Sequence, residues 1–226
     1  MARPTTPSGR TGRPRRTSRE QILTAARRLI DADGWEKLTI RRLAAELGVG
    51  APTLYHHVRD KDDLLLQLLN EHTSRIERPP LPADPGARIM VAATTMHDVL
   101  AAWPWAAEVL TSDGFVGLLD EPSLWMVEAI VSGAIDSGAT PEQAVDVFRG
   151  IWCFTVGEVL VRAHTDRQRA AVDRYLDLTG FDPGSLPTLA AIAEHWPGLA
   201  ARDIYPDGLR ALIDGLLAPP GAAGDS

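Results

Sequence analysis

Cysteine is almost missing from this 226-residue chain: Cys153 stands alone. An intramolecular disulfide is therefore excluded, and a reducing compartment is implied. With Trp152 and Phe154 on either side, the thiol is expected to be a buried apolar group rather than a nucleophile. Long apolar runs are lacking as well. The stretch from Ile89 to Leu110 is the most apolar, yet His97, Asp98, Pro104 and Glu108 interrupt it, which a membrane span does not accommodate. The N-terminus has no apolar core of a signal peptide, so a cytoplasmic protein without a membrane partner is expected. No apolar–polar alternation bounded by hairpin turns occurs, and no short-period repeat. Catalytic signatures are missing too: no glycine-rich phosphate loop, no G-x-S-x-G elbow and no paired-histidine metal motif. No catalytic residue, metal site or cofactor is assigned on this basis. His97, His164 and His195 lie far apart in sequence and are expected at the surface or as hydrogen-bonded core residues.

What the chain does contain is unevenly spread charge. The first 75 residues carry 14 Lys+Arg and 9 Asp+Glu, and the remainder carries 9 and 21, within a net charge of -7. A basic front joined to an acidic rear fits a front that meets a polyanion. It equally fits a basic tail on an ordinary acidic globule.

Breakers and caps divide the chain into helices. Residues 1–17, rich in Pro, Thr, Gly and Arg, are expected to form a disordered arm that either contacts DNA or serves only solubility. Thr17 and Glu20 form a capping-box pattern opening a first helix that Gly34 stops. Thr39 caps a second helix, which Gly48 ends. Pro52 suits the first turn of a third helix running through Tyr55 and Val58. Asp60 caps a fourth, which the Pro79-Pro80 pair terminates. Behind these come helices from Asp84-Pro85, bent at Trp103-Pro104, then from Pro122 to about Gly138, and from Thr140-Pro141 to about His164. Further helical segments are expected at Arg167–Thr179, Thr188–Glu194 and Pro206–Leu217. The fold class is all-α. The expected domains are a three-helix DNA-binding unit at 18–65 and a helical ligand-binding and dimerisation unit at 66–218, with a tail at 219–226.

Leu47-Gly48-Val49-Gly50 lies between the second and third helices, where glycine permits a sharp turn and Val49 can plug the angle. A helix-turn-helix results, with Thr53, Tyr55, His56 and His57 on the outward side of its recognition helix. Residues 38–65, LTIRRLAAELGVGAPTLYHHVRDKDDLL, resemble the DNA-binding signature of the tetracycline-repressor (TetR) family. Weaker similarity continues at Phe154–Gly157 and from Gly208 to Leu216. The resemblance implies DNA contacts from Thr39 and Arg41, from Pro52, Thr53, Tyr55, His56 and His57, and a phosphate contact from Lys61. Where the tetracycline repressor has a base-reading glutamine this chain has Ala51, which offers a thymine methyl contact only, so a different palindromic operator is implied.

The rear domain holds Trp103, Trp105, Trp125, Trp152, Trp196, Met96, Met126 and Phe154, which suit either a pocket lining or a plain core. The resemblance implies a small-molecule effector site there, for which Trp103, Leu110, Trp125, Trp152 and Cys153 are the candidates. It also implies a homodimer built on two helices. One would carry Ala144, Val145, Phe148, Ile151, Trp152 and Val156. The other would carry Leu209, Leu212, Ile213, Leu216 and Leu217, with Gly208 and Gly215 allowing close approach. Glu77, Val91, Leu110, Cys153 and Val161 align with positions where a family member uses polar contacts to a tetracycline–magnesium chelate. Four of these five offer no strong hydrogen bond, so an apolar or aromatic effector is expected instead. The resulting expectation is a ligand-released transcriptional repressor. The alternatives are a helical small-molecule binder with a vestigial DNA-binding head, and an all-helical enzyme.

Overall fold

The computed structural model describes residues 17–111, 115–169 and 181–218, and among them every regular element is helical. Residues 1–16 of the expected arm, the Ser112–Gly114 loop, the C-terminal tail and residues 170–179 of the expected Arg167–Thr179 helix lie outside these. Two compact units are formed, one ending at Leu68 and the other beginning at Leu69.

The first unit contains α1 (Arg19–Asp33), α2 (Ile40–Leu47), α3 (Ala51–Leu54) and the larger part of α4 (Lys61–Thr73). The capping box of α1 is made by Ser18 and Gln21, not by Thr17 and Glu20. Ser18 Oγ accepts from the Gln21 amide at 3.2 Å, and Gln21 Oε1 accepts from the Ser18 amide at 3.0 Å. The same i, i+3 chemistry is available one residue earlier, so pattern alone cannot separate the two registers. Ile22, Leu23, Ala25, Ala26 and Ile30 turn inward. Gly34, at φ 88°, ends the helix as expected. Thr39 caps α2 through its hydroxyl, which accepts from the Arg42 amide at 3.1 Å.

The fourth helix stops well before Pro79-Pro80. The Thr73 hydroxyl lies 3.1 Å from both the Leu69 and Asn70 carbonyls, and the Ser74 hydroxyl donates to the Glu71 carbonyl at 2.9 Å. The Arg75 and Ile76 amides reach the His72 and Thr73 carbonyls at 3.1 Å each, so with Ser74 on Glu71 the last carbonyls are satisfied without a further turn.

The second unit is built on α5 (Pro85–Ala102), α7 (Glu121–Asp136) and α8 (Pro141–Arg169), with α6 (Pro104–Val109) and α11 (Tyr205–Leu217) packed on them. Two short helices, α9 (Pro187–Ile192) and α10 (Trp196–Ala200), precede α11. Asp84 caps α5 by accepting from the Ala87 amide at 2.8 Å. At Trp103-Pro104 the chain breaks into two helices rather than bending one, since Pro104 has no amide to continue the ladder. Helix α8 runs five residues past the expected His164. Its first turn is capped as predicted, with Thr140 and Gln143 bonding reciprocally.

Helices α5 and α7 approach closely at Gly133. A Cβ on Gly133 would stand 2.6 Å from Ile89 Cγ1 and 3.1 Å from the Pro85 carbonyl oxygen, so only glycine fits there without displacement. Among the described residues, no helix is long and apolar enough to cross a membrane.

Candidate nucleic-acid interface and effector cavity

Gly48 makes the turn between α2 and α3. It adopts φ 66° and ψ 31°, and its amide reaches the Ala45 carbonyl at 3.1 Å while that of Val49 reaches the Ala44 carbonyl at 3.0 Å. Such a left-handed C-cap reverses the chain within two residues. Pro52 then occupies the first turn of α3, where its missing amide costs nothing. The third helix is shorter than expected. It ends at Leu54, and Tyr55, His56 and His57 occupy the following turn, closed by bonds from the His57 and Val58 amides to the Leu54 carbonyl.

This turn sorts the side chains. Leu54 and Val58 are buried, whereas Pro52, Thr53, Tyr55 and His56 are exposed, Tyr55 at 56%. Thr39 and Arg41 are exposed as well, and Ala51 and His57 are half-buried. Of the nine residues singled out for DNA contact, eight lie on the helix-turn-helix or its flanking turn. Lys61 opens α4, and its environment was not legible in the sequence. Its Nζ donates to the Glu36 carbonyl at 3.2 Å and sits 4.7 Å from the centroid of the Trp35 ring. Arg42 pairs with Asp33, which ties α2 to the end of α1.

Sequence reasoning missed Gln67. Its side-chain amide donates to the His57 carbonyl and to Asp63 Oδ2, each at 3.1 Å, while its Oε1 accepts from Arg19 Nε at 2.8 Å. Asp63 in turn accepts from the Arg59 amide at 2.8 Å. One glutamine thus holds the turn that carries the histidines against α4 and α1. Glutamine on a helix surface has no sequence signature, so nothing short of the fold could reveal it.

In the second unit a small apolar cavity of about 40 Å³ opens between α5, α7 and α8. Met96, Val99 and Leu100 come from α5, Met126 and Val127 from α7, and Phe148 and Trp152 from α8. Leu69, Leu110 and Leu119 complete the apolar wall, and Thr73 and Ser123 border it. The two hydroxyl oxygens are 2.6 Å apart and buried. Asn70, also buried, accepts from the Asp120 amide at 3.3 Å and lies 3.4 Å from Ser123 Oγ.

Of the five effector-site candidates, Leu110 and Trp152 line this cavity and three do not. Cys153 is exposed, against the expectation of a buried thiol. A helix turns about 100° per residue, so Cys153 faces away from the side that carries Trp152. Trp103 stacks on His72 with centroids 4.1 Å apart and on Trp105 at 5.5 Å. Trp125 precedes the lining Met126 on α7 and is rotated off the wall in the same way. Among the five positions aligned with chelate contacts, only Leu110 reaches the cavity; Glu77, Cys153 and Val161 are exposed and Val91 is half-buried.

The apolar faces assigned to dimerisation are also partly redirected. Leu209 and Ile213 are buried within the unit, as are Ala144, Phe148, Ile151 and Val156. Gly208 lets α11 approach the Phe154 ring, which a Cβ there would meet at 2.9 Å. What stays outside is Val145, Cys153, Gly157 and Val161 on α8, with Gly215 and Leu216 on α11. Nearby, buried Tyr205 bonds Thr155 Oγ1 at 2.9 Å, donates to the Ala93 carbonyl at 3.3 Å and stacks on His97 at 3.9 Å. Burial pushes its phenol up to about 12, partly offset by the Thr155 bond. His97 contacts Asp98 Oδ1 at 3.1 Å, and His164 and His195 are exposed. Among the described residues no group of histidine, cysteine and carboxylate side chains could hold a metal ion.

Residues 22–68 match the model of the "Bacterial regulatory proteins, tetR family". The chain is 30% identical over 158 residues to the tetracycline repressor protein class E of Escherichia coli, covering 67% of this chain and 72% of that protein. It is 28% identical over 214 residues to the HTH-type transcriptional repressor DrrR1 of Streptomyces coeruleorubidus, covering 87% and 76%. In structure it is similar to the TetR family protein ActR of Streptomyces coelicolor in complex with actinorhodin, at a TM-score of 0.73 and 25% identity over 92% of this chain and 98% of that one. The helix-turn-helix, the helical rear unit and these relatives agree, and the chain belongs to the TetR family of bacterial regulatory proteins.

Proposed function

We propose that this protein is a cytoplasmic, ligand-responsive transcriptional repressor. It binds a palindromic operator as a homodimer through α2, α3 and the turn behind them, and it leaves the operator when a small molecule occupies the cavity of the second unit. One observation carries the DNA-binding half. Helix α3 and the turn after it bury Leu54 and Val58 while presenting Thr53, Tyr55 and His56 outward, so hydroxyl and imidazole groups stand ready for phosphates and base edges. Thr39, Arg41, Pro52 and His57 flank that face, Ala51 supplies a methyl contact, and Lys61 meets a phosphate.

The repressor DrrR1 and the class E tetracycline repressor support the regulatory reading. The cavity supports the response to a ligand, and its apolar wall favours an apolar or aromatic effector over a metal chelate. Release follows when the effector prefers the non-binding state. A nearly complete switch needs about 5.5 kcal/mol of differential affinity. The exposed face of α8 and α11 would join two copies, since one half-site contact alone is weak.

The test is fluorescence anisotropy of the purified protein with DNA from upstream of its own coding sequence, against scrambled DNA, across a salt series. Tight, salt-dependent binding to the upstream fragment is expected. Equal affinity for both DNAs would overturn the reading.

A further inference from the structure

We infer that Lys37 is a further contact to the DNA backbone and that it acts with Lys61 as a pair of cations at one edge of the docking face. The inference rests on the DNA-binding reading and adds a residue to it.

Ion pairing sorts the basic side chains of the first unit. Arg28 and Arg59 lie 3.8 Å from Glu46 and 3.5 Å from Asp63, and Arg42 pairs with Asp33. Arg19 is bonded to Gln67. Lys37, Arg41 and Lys61 pair with no carboxylate among the described residues. A cation already matched by a carboxylate has little to offer a phosphate, whereas an unmatched one gains by meeting it. Two of these three, Arg41 and Lys61, are the cations that the family resemblance assigns to DNA. The third, Lys37, is exposed.

Local structure holds Lys37 in place. The single helical turn Trp35–Lys37 is closed by the Leu38 amide on the Trp35 carbonyl at 3.1 Å, and Leu38 is buried behind it. From the other side Lys61 Nζ donates to the Glu36 carbonyl at 3.2 Å. That carbonyl belongs to the peptide bond that enters Lys37, so the Lys61 ammonium is held at the root of the Lys37 side chain. Like charges at such close quarters repel, and a shared anion relieves the repulsion. The nearby carboxylates are turned elsewhere. Glu36 folds back over Gly34, where a Cβ would meet its Oε2 at 2.8 Å. Asp60 accepts from the Asp63 amide and Asp63 from the Arg59 amide, each at 2.8 Å. Asp62 projects about 100° round α4 from Lys61. Thr39, assigned to DNA, follows closely in the chain and is exposed as well, which sets the pair beside the docking face.

The experiment is fluorescence anisotropy of the full chain with two duplexes, the fragment from upstream of its own coding sequence and a scrambled one, over a salt series. Lys37→Gln should reduce the slope of log affinity against log salt by about one unit for each subunit bound. It should do so on both duplexes, because a backbone contact does not depend on sequence. At about 0.15 M salt this is a loss of about fivefold per subunit, fading towards parity at about 1 M. Lys37→Arg should keep the slope of the unaltered protein. Lys37→Gln combined with Lys61→Gln should lose about twice the slope lost by Lys37→Gln alone. Arg28→Gln removes the same charge from an ion-paired site and should change the slope by less than half as much. Circular dichroism checks that each variant is folded, and the exposed position of Lys37 leaves the fold independent of it. An unchanged slope in Lys37→Gln overturns the inference. So does an equal loss in Arg28→Gln, which would reduce the effect to net charge. Equal affinity of the unaltered protein for the two duplexes removes the repressor reading alone, since the slope on either duplex still decides the role of Lys37.

Discussion

Gln67 and His57 are joined by a hydrogen bond of 3.1 Å from the glutamine side chain to the histidine main-chain carbonyl. The bond ties α4 to the turn that carries Tyr55, His56 and His57, and Arg19 and Asp63 lock the glutamine from either side. Gln67 is therefore a positioning residue for the DNA-facing turn. Gln67→Leu should leave the helical content intact, lower stability by about 1 kcal/mol and weaken operator binding several-fold. Because Gln67 is not assigned a phosphate contact, the slope of log affinity against log salt should not change. A flattened salt slope in this variant would show that the side chain meets DNA directly.

Tyr55 and Lys61 differ in what else they do. Tyr55 is largely exposed, so Tyr55→Phe should lower operator affinity with no loss of thermal stability. Lys61 also braces Trp35 and the Glu36 carbonyl. Lys61→Ala should flatten the salt slope by about one unit and lower stability by about 0.5–1 kcal/mol as the brace is lost. Anisotropy over a salt series, paired with thermal melts, separates the two roles. Unchanged affinity in both variants would place the docking face elsewhere.

Leu216 and Ile213 sit one helical turn apart on α11 with opposite exposures, 37% and 2%. Leu216→Asp should yield a folded monomer by burying a carboxylate twice across a two-fold interface. Ile213→Asp should unfold the second unit. Sedimentation velocity and circular dichroism distinguish these outcomes, and a fully dimeric Leu216→Asp protein would move the interface off this face.

Gly133 leaves no room beside Ile89. Gly133→Ala, which improves helix propensity by up to about 1 kcal/mol, should nonetheless destabilise the protein by about 1–3 kcal/mol through overpacking. The pair Gly133→Ala with Ile89→Val should recover part of that loss. Denaturant melts of the single and double variants measure it.

Tyr205 is held neutral by burial, its phenol raised to about 12. A raised folded pKa means the associated stability is complete below the unfolded tyrosine value of about 10. It is lost as pH rises from there through about 12. Tyrosinate absorbance of the native protein, less that of Tyr205→Phe, should therefore rise near the upper end of this window, and in denaturant near its lower end. Titration of the native difference signal at the lower end would show that Tyr205 is not enclosed as described.

Local chemistry, read from the sequence alone, determined the helical class, the helix-turn-helix and several helix ends. Gly34 and Gly48 stop α1 and α2, and Thr39 and Asp84 cap α2 and α5, because capping and left-handed turns depend on residues only a few positions apart. The outward row Thr53, Tyr55 and His56 was legible for the same reason. The tertiary structure alone decided which apolar residues are core and which are wall or surface. Composition cannot tell Trp152, on the cavity, from Cys153, one position later and exposed, since the direction each faces depends on where α8 docks. Likewise Ile213 and Leu216 belong to one apolar stripe in sequence, yet packing of α11 on α5 and α8 buries only the first. Ser123 and Thr73 meet across fifty residues of chain, and no local pattern encodes such a pairing, because it exists only once α7 has been laid against the end of α4.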